Sequence, residues 1–322
     1  MRISSNTLYD LGVNTINNQL TALVKTQQQI STNRRILTPS DDPVASSAAV
    51  EIDNSLNVTK QHLDNIGNAR STLSLEESVV SSINRVFQNA RQTVVSAGNA
   101  GLSAADRATL ATTLRSNYDE LLSLANSRDG QGNYFFSGFK TNTPPFTQTT
   151  GAAVYAGDQG QRKLQITPSR QIDVSDSGQD LFKPGVAGAD PFATIENFIT
   201  ALGTGSAVSA AALDAAINGI DAAQNNTLRV LSSIGSRLNE LDSTEANNQD
   251  SSLQYQTTLS NLRDVDLTRA FTDLPRLYSN LNKLKPWMVR NDFCAASRLV
   301  FWRVKSVMAR VKSTSRKFDS VV

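Results

Sequence analysis

The chain has 322 residues, a formal net charge of +2, one cysteine, one histidine and an aromatic content of 6%. A single cysteine excludes an intramolecular disulfide, and one histidine with one cysteine excludes the usual zinc sites, which take several such ligands. No apolar run approaches the roughly 20 residues that span a bilayer, and the N-terminus lacks the features of a cleaved secretory signal.

The first predicted helix carries a narrow apolar stripe. Its large apolar residues recur at intervals of seven, which is typical of a coiled coil, but polar residues occupy most intermediate positions. Such a helix is only marginally stable alone. We therefore predict a seam between subunits, with an intramolecular core as the alternative. The seam consists of Ile16, Leu20, Leu23, Ile30 and Leu37.

Two prolines should end this N-terminal coiled-coil segment, residues 1–45. Asp42 followed by Pro43 is typical of a helix start, where the aspartate caps free N–H groups and proline fits the first turn. Residues 46–133 are then predicted to form the N-terminal half of a helical bundle. Apolar spacing indicates two helical runs on either side of Gly67.

The apolar residues that the spacing places inward before Gly67 are Val50, Ile52, Leu56, Leu63 and Ile66. After it, the predicted stripe consists of Leu75, Val79, Ile83, Phe87, Ala90 and Val94. Ser103 and Asp106 have the spacing of a capping box, with Asp in place of Glu.

Residues 134–191 differ in composition from the segments around them, with many turn-forming and aromatic residues. Residues 163–166 and 171–174 alternate polar and apolar side chains, as half-buried strands do, and Pro168 with Ser169 supplies a turn between them. This pattern predicts a small β-rich insert.

Helical spacing returns over residues 192–274, the predicted C-terminal half of the bundle. We predict one helix from about Asp221 to Leu274, with Leu228 in its apolar stripe; it would be on the order of 80 Å long. The expected fold is mainly α: an elongated antiparallel helical bundle or coiled-coil rod with the β-rich insert at its tip.

The last segment, residues 275–322, differs in charge and composition. It holds eleven basic residues against two acidic ones, a net +9, whereas the preceding residues carry −7, and it contains both tryptophans and the only cysteine. One interpretation is a basic arm for nucleic acid. The favoured interpretation is an atypical tail that follows a change of reading frame, with Pro275 interrupting the helix and the helical partner of residues 5–37 missing or replaced.

No catalytic, cofactor-binding or metal-binding residue is predicted. His62 lies among polar residues and is expected to be solvated, and Cys294 lacks a nearby base in the sequence. The acidic pairs at Asp41 and at Glu76 are expected to stabilise helix starts by their interaction with the helix dipole.

Several motifs resemble the flagellin family, and specifically its junction subunits. The stretch from Gln29 through Arg35 to Ser46 (QISTNRRILTPSDDPVAS) is the most specific of them. The segments Met1–Asn6, Tyr134–Thr141 and Gly235–Asn239 are also similar to family sequences, so the resemblance covers about residues 1–274.

This resemblance implies a structural, self-assembling protein and not an enzyme. It would be exported to the bacterial flagellum without a cleaved signal and form a ring of its own copies between hook-associated protein 1 and flagellin. A cytoplasmic export chaperone would hold its C-terminal region, and neither nucleic acid nor membrane would be a partner. Filament flagellin itself is the alternative, and a nucleic-acid-binding protein is a third.

Overall fold

The structure is a computed structural model that describes residues 5–148, 151–183, 186–204 and 206–290. Helices dominate these residues, and two short antiparallel strand pairs lie between them, so the predicted mainly α fold with a small β-rich insert is confirmed. In chain order the elements are α1 (Ser5–Thr32), α2 (Pro43–Ala97), α3 (Ala104–Ala125), β1 (Phe146–Thr147), β2 (Val154–Tyr155), β3 (Lys163–Thr167), β4 (Arg170–Asp173), α4 (Gly178–Phe182), α5 (Pro191–Gly203), α6 (Ala210–Arg263) and α7 (Leu267–Arg290).

The chain folds into two compact units. The first is formed by the described residues up to Leu56 and from Leu253 onward, and the second is Asn57–Ser252. Helices α2 and α6 each contribute residues to both units. The segment boundaries expected from the sequence, at 45, 133, 191 and 274, stay predictions.

Helix α2 begins where the sequence indicates. Pro43 is its first residue, and the Asp42 carboxylate accepts a hydrogen bond of 3.0 Å from the Ala45 N–H. The predicted division at Gly67 is wrong, because α2 continues through it as one helix of 55 residues. Ile66 and Ala69 are fully buried on either side, and their packing offsets the cost of about 1 kcal/mol for glycine in a helix.

Most of the predicted inward face of α2 is confirmed, including Ile66, Ile83 and Phe87, and two of its positions are wrong. Val50 and Leu75 are exposed, as is Leu228 on α6, whereas Leu73 and Val80 are buried. Near Leu75 the core face follows the mixed three-and-four spacing of an α-helix, and a strict spacing of four misses it at this point.

The second unit has an aromatic centre. Phe146 lies 5.0 Å from Phe182 and 4.9 Å from Phe192 between ring centroids, and Tyr118 of α3 meets Phe192 edge-on at 5.7 Å. The Tyr118 hydroxyl accepts a hydrogen bond of 2.8 Å from the Ala153 N–H. These contacts fix the insert to α3 and α5, which pack against each other.

Local predictions for this unit are confirmed. β3 and β4 pair in antiparallel fashion across the turn at Pro168 and Ser169, with an irregularity in register between Gln165 and Thr167. Ser103 and Asp106 form the capping box at the start of α3.

The predicted single helix from 221 to 274 is instead two helices. α6 ends at Arg263, and α7 begins at Leu267, where the Asp266 carboxylate accepts a hydrogen bond of 3.1 Å from the Arg269 N–H. Aspartate competes with the helix backbone in this way and favours a new start. The predicted interruption at Pro275 is also wrong, because α7 passes through this exposed residue. Residues 291–322 of the predicted tail lie outside the described residues.

Candidate assembly interface

Helices α1 and α7 pack against each other in the first unit. Both contribute buried apolar side chains: Ile16 and Leu23 on α1, and Ala270 and Leu281 on α7. Of the two expectations for the helical partner of residues 5–37, missing or replaced, the first is wrong, because α7 packs against α1 and extends from Leu267 into the segment after residue 274.

The five predicted seam residues fall into two groups. Ile16 and Leu23 are buried within the single chain, with Leu23 at 0% exposure, so their burial requires no second copy. Leu20, Ile30 and Leu37 are only half-buried and keep apolar surface available.

Two of the half-buried residues, Leu20 and Leu37, line a groove of about 700 Å³ between α1 and the loop that follows it. Val24 lies beside Leu20, one helical turn further along, and is 37% exposed. Sequence analysis missed Val24, although a residue four positions from Leu20 shares its helix face. The remaining lining residues are Asn17, Thr21, Lys25, Gln28, Thr38 and Asp41.

The loop side of this groove is held by Asp41. Its carboxylate accepts hydrogen bonds of 3.1 Å from both the Leu37 and Thr38 N–H groups, and Lys25 of α1 pairs with it at 2.6 Å. The bond from Lys25, followed by the two backbone bonds, lowers the pKa of Asp41 to about 2. The groove therefore has a fixed rim at neutral pH.

A second set of contacts joins the same loop to the junction of α6 and α7. The Arg35 guanidinium donates a hydrogen bond of 2.8 Å to the Leu262 carbonyl and pairs with Asp42 at 3.2 Å. The backbone bonds run from the Arg35 N–H to the Arg263 carbonyl, at 2.6 Å, and from the Val265 N–H to the Asn33 carbonyl, at 3.4 Å. Together these contacts hold residues 33–42 against the junction of α6 and α7.

The residues considered for catalysis are not assembled into a site. His62 is buried, not solvated as expected, and neither ring nitrogen has a hydrogen-bond partner. Glu76 is not at a helix start but in the middle of α2, fully buried and far in sequence from Asp41. Cys294 lies outside the described residues.

Among the residues that the structure describes, no group of three or more His, Cys, Asp or Glu side chains is placed to hold a metal ion. Nor does any described helix combine the length and apolarity needed to cross a membrane.

Comparison with known proteins agrees with this arrangement. Residues 3–141 match the bacterial flagellin N-terminal helical region. Flagellar hook-associated protein 3 of Escherichia coli is 36% identical over 284 residues, which is 83% of this chain and 89% of that protein.

Solved structures of flagellar proteins have a similar fold. A flagellar hook-associated protein from Vibrio parahaemolyticus has a TM-score of 0.66 and 28% identity, over 70% of this chain and all of that one. The flagellar junction protein from Legionella pneumophila, at 22% identity and a TM-score of 0.54, has the same fold over 67% of this chain and all of that one. This chain belongs to the family of flagellar hook-associated protein 3.

Proposed function

We propose that this chain is a structural subunit of the bacterial flagellum that joins hook-associated protein 1 to the flagellin filament. Copies of the chain would form a ring, and a neighbouring copy would dock into the groove between α1 and the loop at residues 37–41. The observation that carries the proposal is this groove: its apolar wall, formed by Leu20, Val24 and Leu37, stays accessible in the single chain.

The energetics favour a contact that several subunits share. Completing the burial of three half-exposed aliphatic side chains contributes on the order of 1 kcal/mol each. Association of two molecules costs several kcal/mol in lost freedom of motion, so this groove alone gives weak pairing. In a ring, each copy makes two such contacts, and the closed arrangement adds further surfaces. Weak pairing in solution and firm assembly in the flagellum follow from the same groove.

The proposal also covers how the chain reaches the flagellum and what it binds there. The chain would act by binding other subunits and not as an enzyme. It would pass to the flagellum through the flagellar export apparatus without a cleaved signal, after a cytoplasmic chaperone has held its C-terminal region. Its neighbours in the assembly would be hook-associated protein 1, flagellin and further copies of itself.

Val24→Asp tests the proposal, because it places a charge on the groove wall without opening the buried α1 and α7 contact. The variant would be expressed in a flagellated bacterium that lacks its own corresponding subunit. We expect Val24→Asp to appear in the culture medium while filaments fail to form on the hooks.

Asn18→Asp is the matched control. It places the same charge on an exposed position of α1 that does not line the groove, and it should restore filaments as the unchanged chain does. Filaments of normal number and length with Val24→Asp would overturn the proposal.

A further inference from the structure

A buried carboxyl group lies in the second unit. Glu76 of α2 is 0% exposed, and its Oε1 atom accepts a hydrogen bond of 3.0 Å from the Asp176 N–H, just beyond β4. Its other oxygen, Oε2, is buried without a hydrogen-bond partner. An ionised carboxylate with one unpaired oxygen is costly to bury, whereas the neutral acid is far less so.

Asp176 has the partner that Glu76 lacks. The Arg237 guanidinium on α6 lies 2.5 Å from the Asp176 carboxylate, and a second nitrogen of the same group donates to the Asp173 carbonyl at 3.1 Å. Both side chains of this ion pair are nearly buried. The negative charge of the cluster is therefore localised on Asp176, where Arg237 neutralises it directly.

Three charged groups face Glu76 from the elements packed around it: Asp176 after β4, Arg237 on α6 and Arg162 before β3. The Arg162 guanidinium has two buried nitrogen atoms, Nε and Nη2, without hydrogen-bond partners. Asp180 and Asp173 further oppose a negative charge on Asp176. Glu76 thus experiences two cations at a distance and one carboxylate that is bound to its own cation.

Burial is the largest cause that raises the pKa of Glu76, and the nearby Asp176 charge adds to it; together they bring this pKa to about 8. Burial also raises the pKa of Asp176, but the bond and charge of Arg237 oppose that shift. Because Arg237 holds the charge on Asp176, the proton of the pair resides on Glu76 at neutral pH.

We propose that Glu76, Asp176 and Arg237 form a pH-dependent latch that joins the end of β4 to α2 and α6. With a proton on Glu76, the Asp176 backbone and the Arg237 ion pair hold the insert to both helices. When Glu76 ionises, a second buried negative charge repels Asp176, and the segment after β4 separates from α2.

The direction of the pH effect follows from proton linkage. The folded protein retains a proton on Glu76 that the unfolded chain releases near pH 4.5. Between that pH and about 8, the folding equilibrium constant should fall by up to tenfold per pH unit. Below this window the latch contributes fully, and above it the loss is complete.

Urea unfolding of the full chain at pH 6, 7, 8 and 9, followed by circular dichroism, tests the latch. The unfolding midpoint of the unchanged chain should fall from pH 6 to 8 and level off by pH 9. Glu76→Gln, which remains neutral at every pH, should remove most of this fall. Glu77→Gln is the matched control on the neighbouring, half-exposed residue, and it should keep the full pH dependence. Equal pH dependence in the unchanged chain and in Glu76→Gln would overturn the proposal.

A second measurement does not depend on whether Glu76→Gln folds. Infrared spectra of the unchanged chain should contain a protonated carboxyl band at pH 7 that disappears with a midpoint near pH 8. Over the same rise in pH, the protection of the Asp176 amide against hydrogen exchange should decrease by at least tenfold, after correction for the intrinsic exchange rate. Absence of the band at pH 7 would equally contradict the latch.

Discussion

Arg35 is bonded to Leu262 across 227 positions of the chain: its guanidinium donates to the Leu262 carbonyl at 2.8 Å. The carbonyl accepts at the C-terminal end of α6, where helix carbonyls lack partners within the helix. The stretch that most specifically resembles the flagellin family thus forms a structural contact, which holds the loop beside the proposed docking groove.

Arg35→Ala should destabilise the first unit by about 1–2 kcal/mol, because it leaves the Leu262 carbonyl and the Asp42 carboxylate without this donor. Arg34→Ala is the control, since the pairing of residue 34 with Asp264 runs through the backbone; it should change stability by less than about 0.5 kcal/mol. Urea unfolding of both variants checks the difference. Equal effects would mean that the guanidinium contacts contribute nothing specific.

Leu23→Ala should destabilise the contact of α1 with α7 by about 2–5 kcal/mol, because it leaves a cavity at a fully buried position. Val24→Ala, one residue further along at an exposed position, should cost less than about 1 kcal/mol. Hydrogen exchange of the α1 amides would report both changes. If Val24→Ala were the more damaging variant, the assignment of buried and free faces on α1 would be wrong.

Gly219→Ala and Gly235→Ala should change the free energy of unfolding in opposite directions, although both residues lie within α6. A Cβ at Gly219 would come within 2.6 Å of the Thr194 hydroxyl, which is bonded to the Asp190 carbonyl, so a loss of about 1–3 kcal/mol is expected. A Cβ at Gly235 meets nothing within 4 Å, and the better helix propensity should stabilise by about 0.5–1 kcal/mol. Thermal unfolding distinguishes them, and destabilisation by both would refute the steric argument.

Acidic pH should weaken the hydrogen bonds that the Asp41 carboxylate accepts from the Leu37 and Thr38 N–H groups. Its folded pKa of about 2 lies below the ordinary aspartate pKa of 3.8, so its contribution is present above about pH 4 and is lost as the pH falls through 2. Exchange of the Leu37 and Thr38 amides should accelerate over this interval relative to intrinsic rates. Asp41→Asn should show faster exchange already at pH 5, and unchanged protection in that variant would contradict the role of Asp41.

Local and periodic features were predictable from the sequence, and features set by distant partners were not. The start at Pro43, the capping box at Ser103 and the hairpin at Pro168 depend on neighbouring residues and are confirmed. The break before Leu267 also depends on the Asn33 carbonyl, which lies more than 200 residues away. No local pattern indicates such a contact.

The burial of polar groups is likewise difficult to predict from the sequence, because it depends on distant partners. Glu76 follows the helical spacing of the core, but a glutamate in a polar stretch gives no sign that the Asp176 backbone will bond to it. For the groove, the sequence indicated Leu20 and Leu37 as a seam and could not separate them from Ile16 and Leu23, because one stripe contains both. Only the position of α7 divides that stripe into a covered part and a free part.

Site-specific photo-crosslinking tests the docking of a second copy most directly. A photoreactive amino acid would replace Val24 in one sample and Asn18 in another, and flagella would be irradiated on the cells. Position 24 should yield adducts between two copies of this chain, identified by mass spectrometry, while position 18 should not. Copy-to-copy adducts at position 18 alone, or at neither position in flagella that contain the protein, would contradict it.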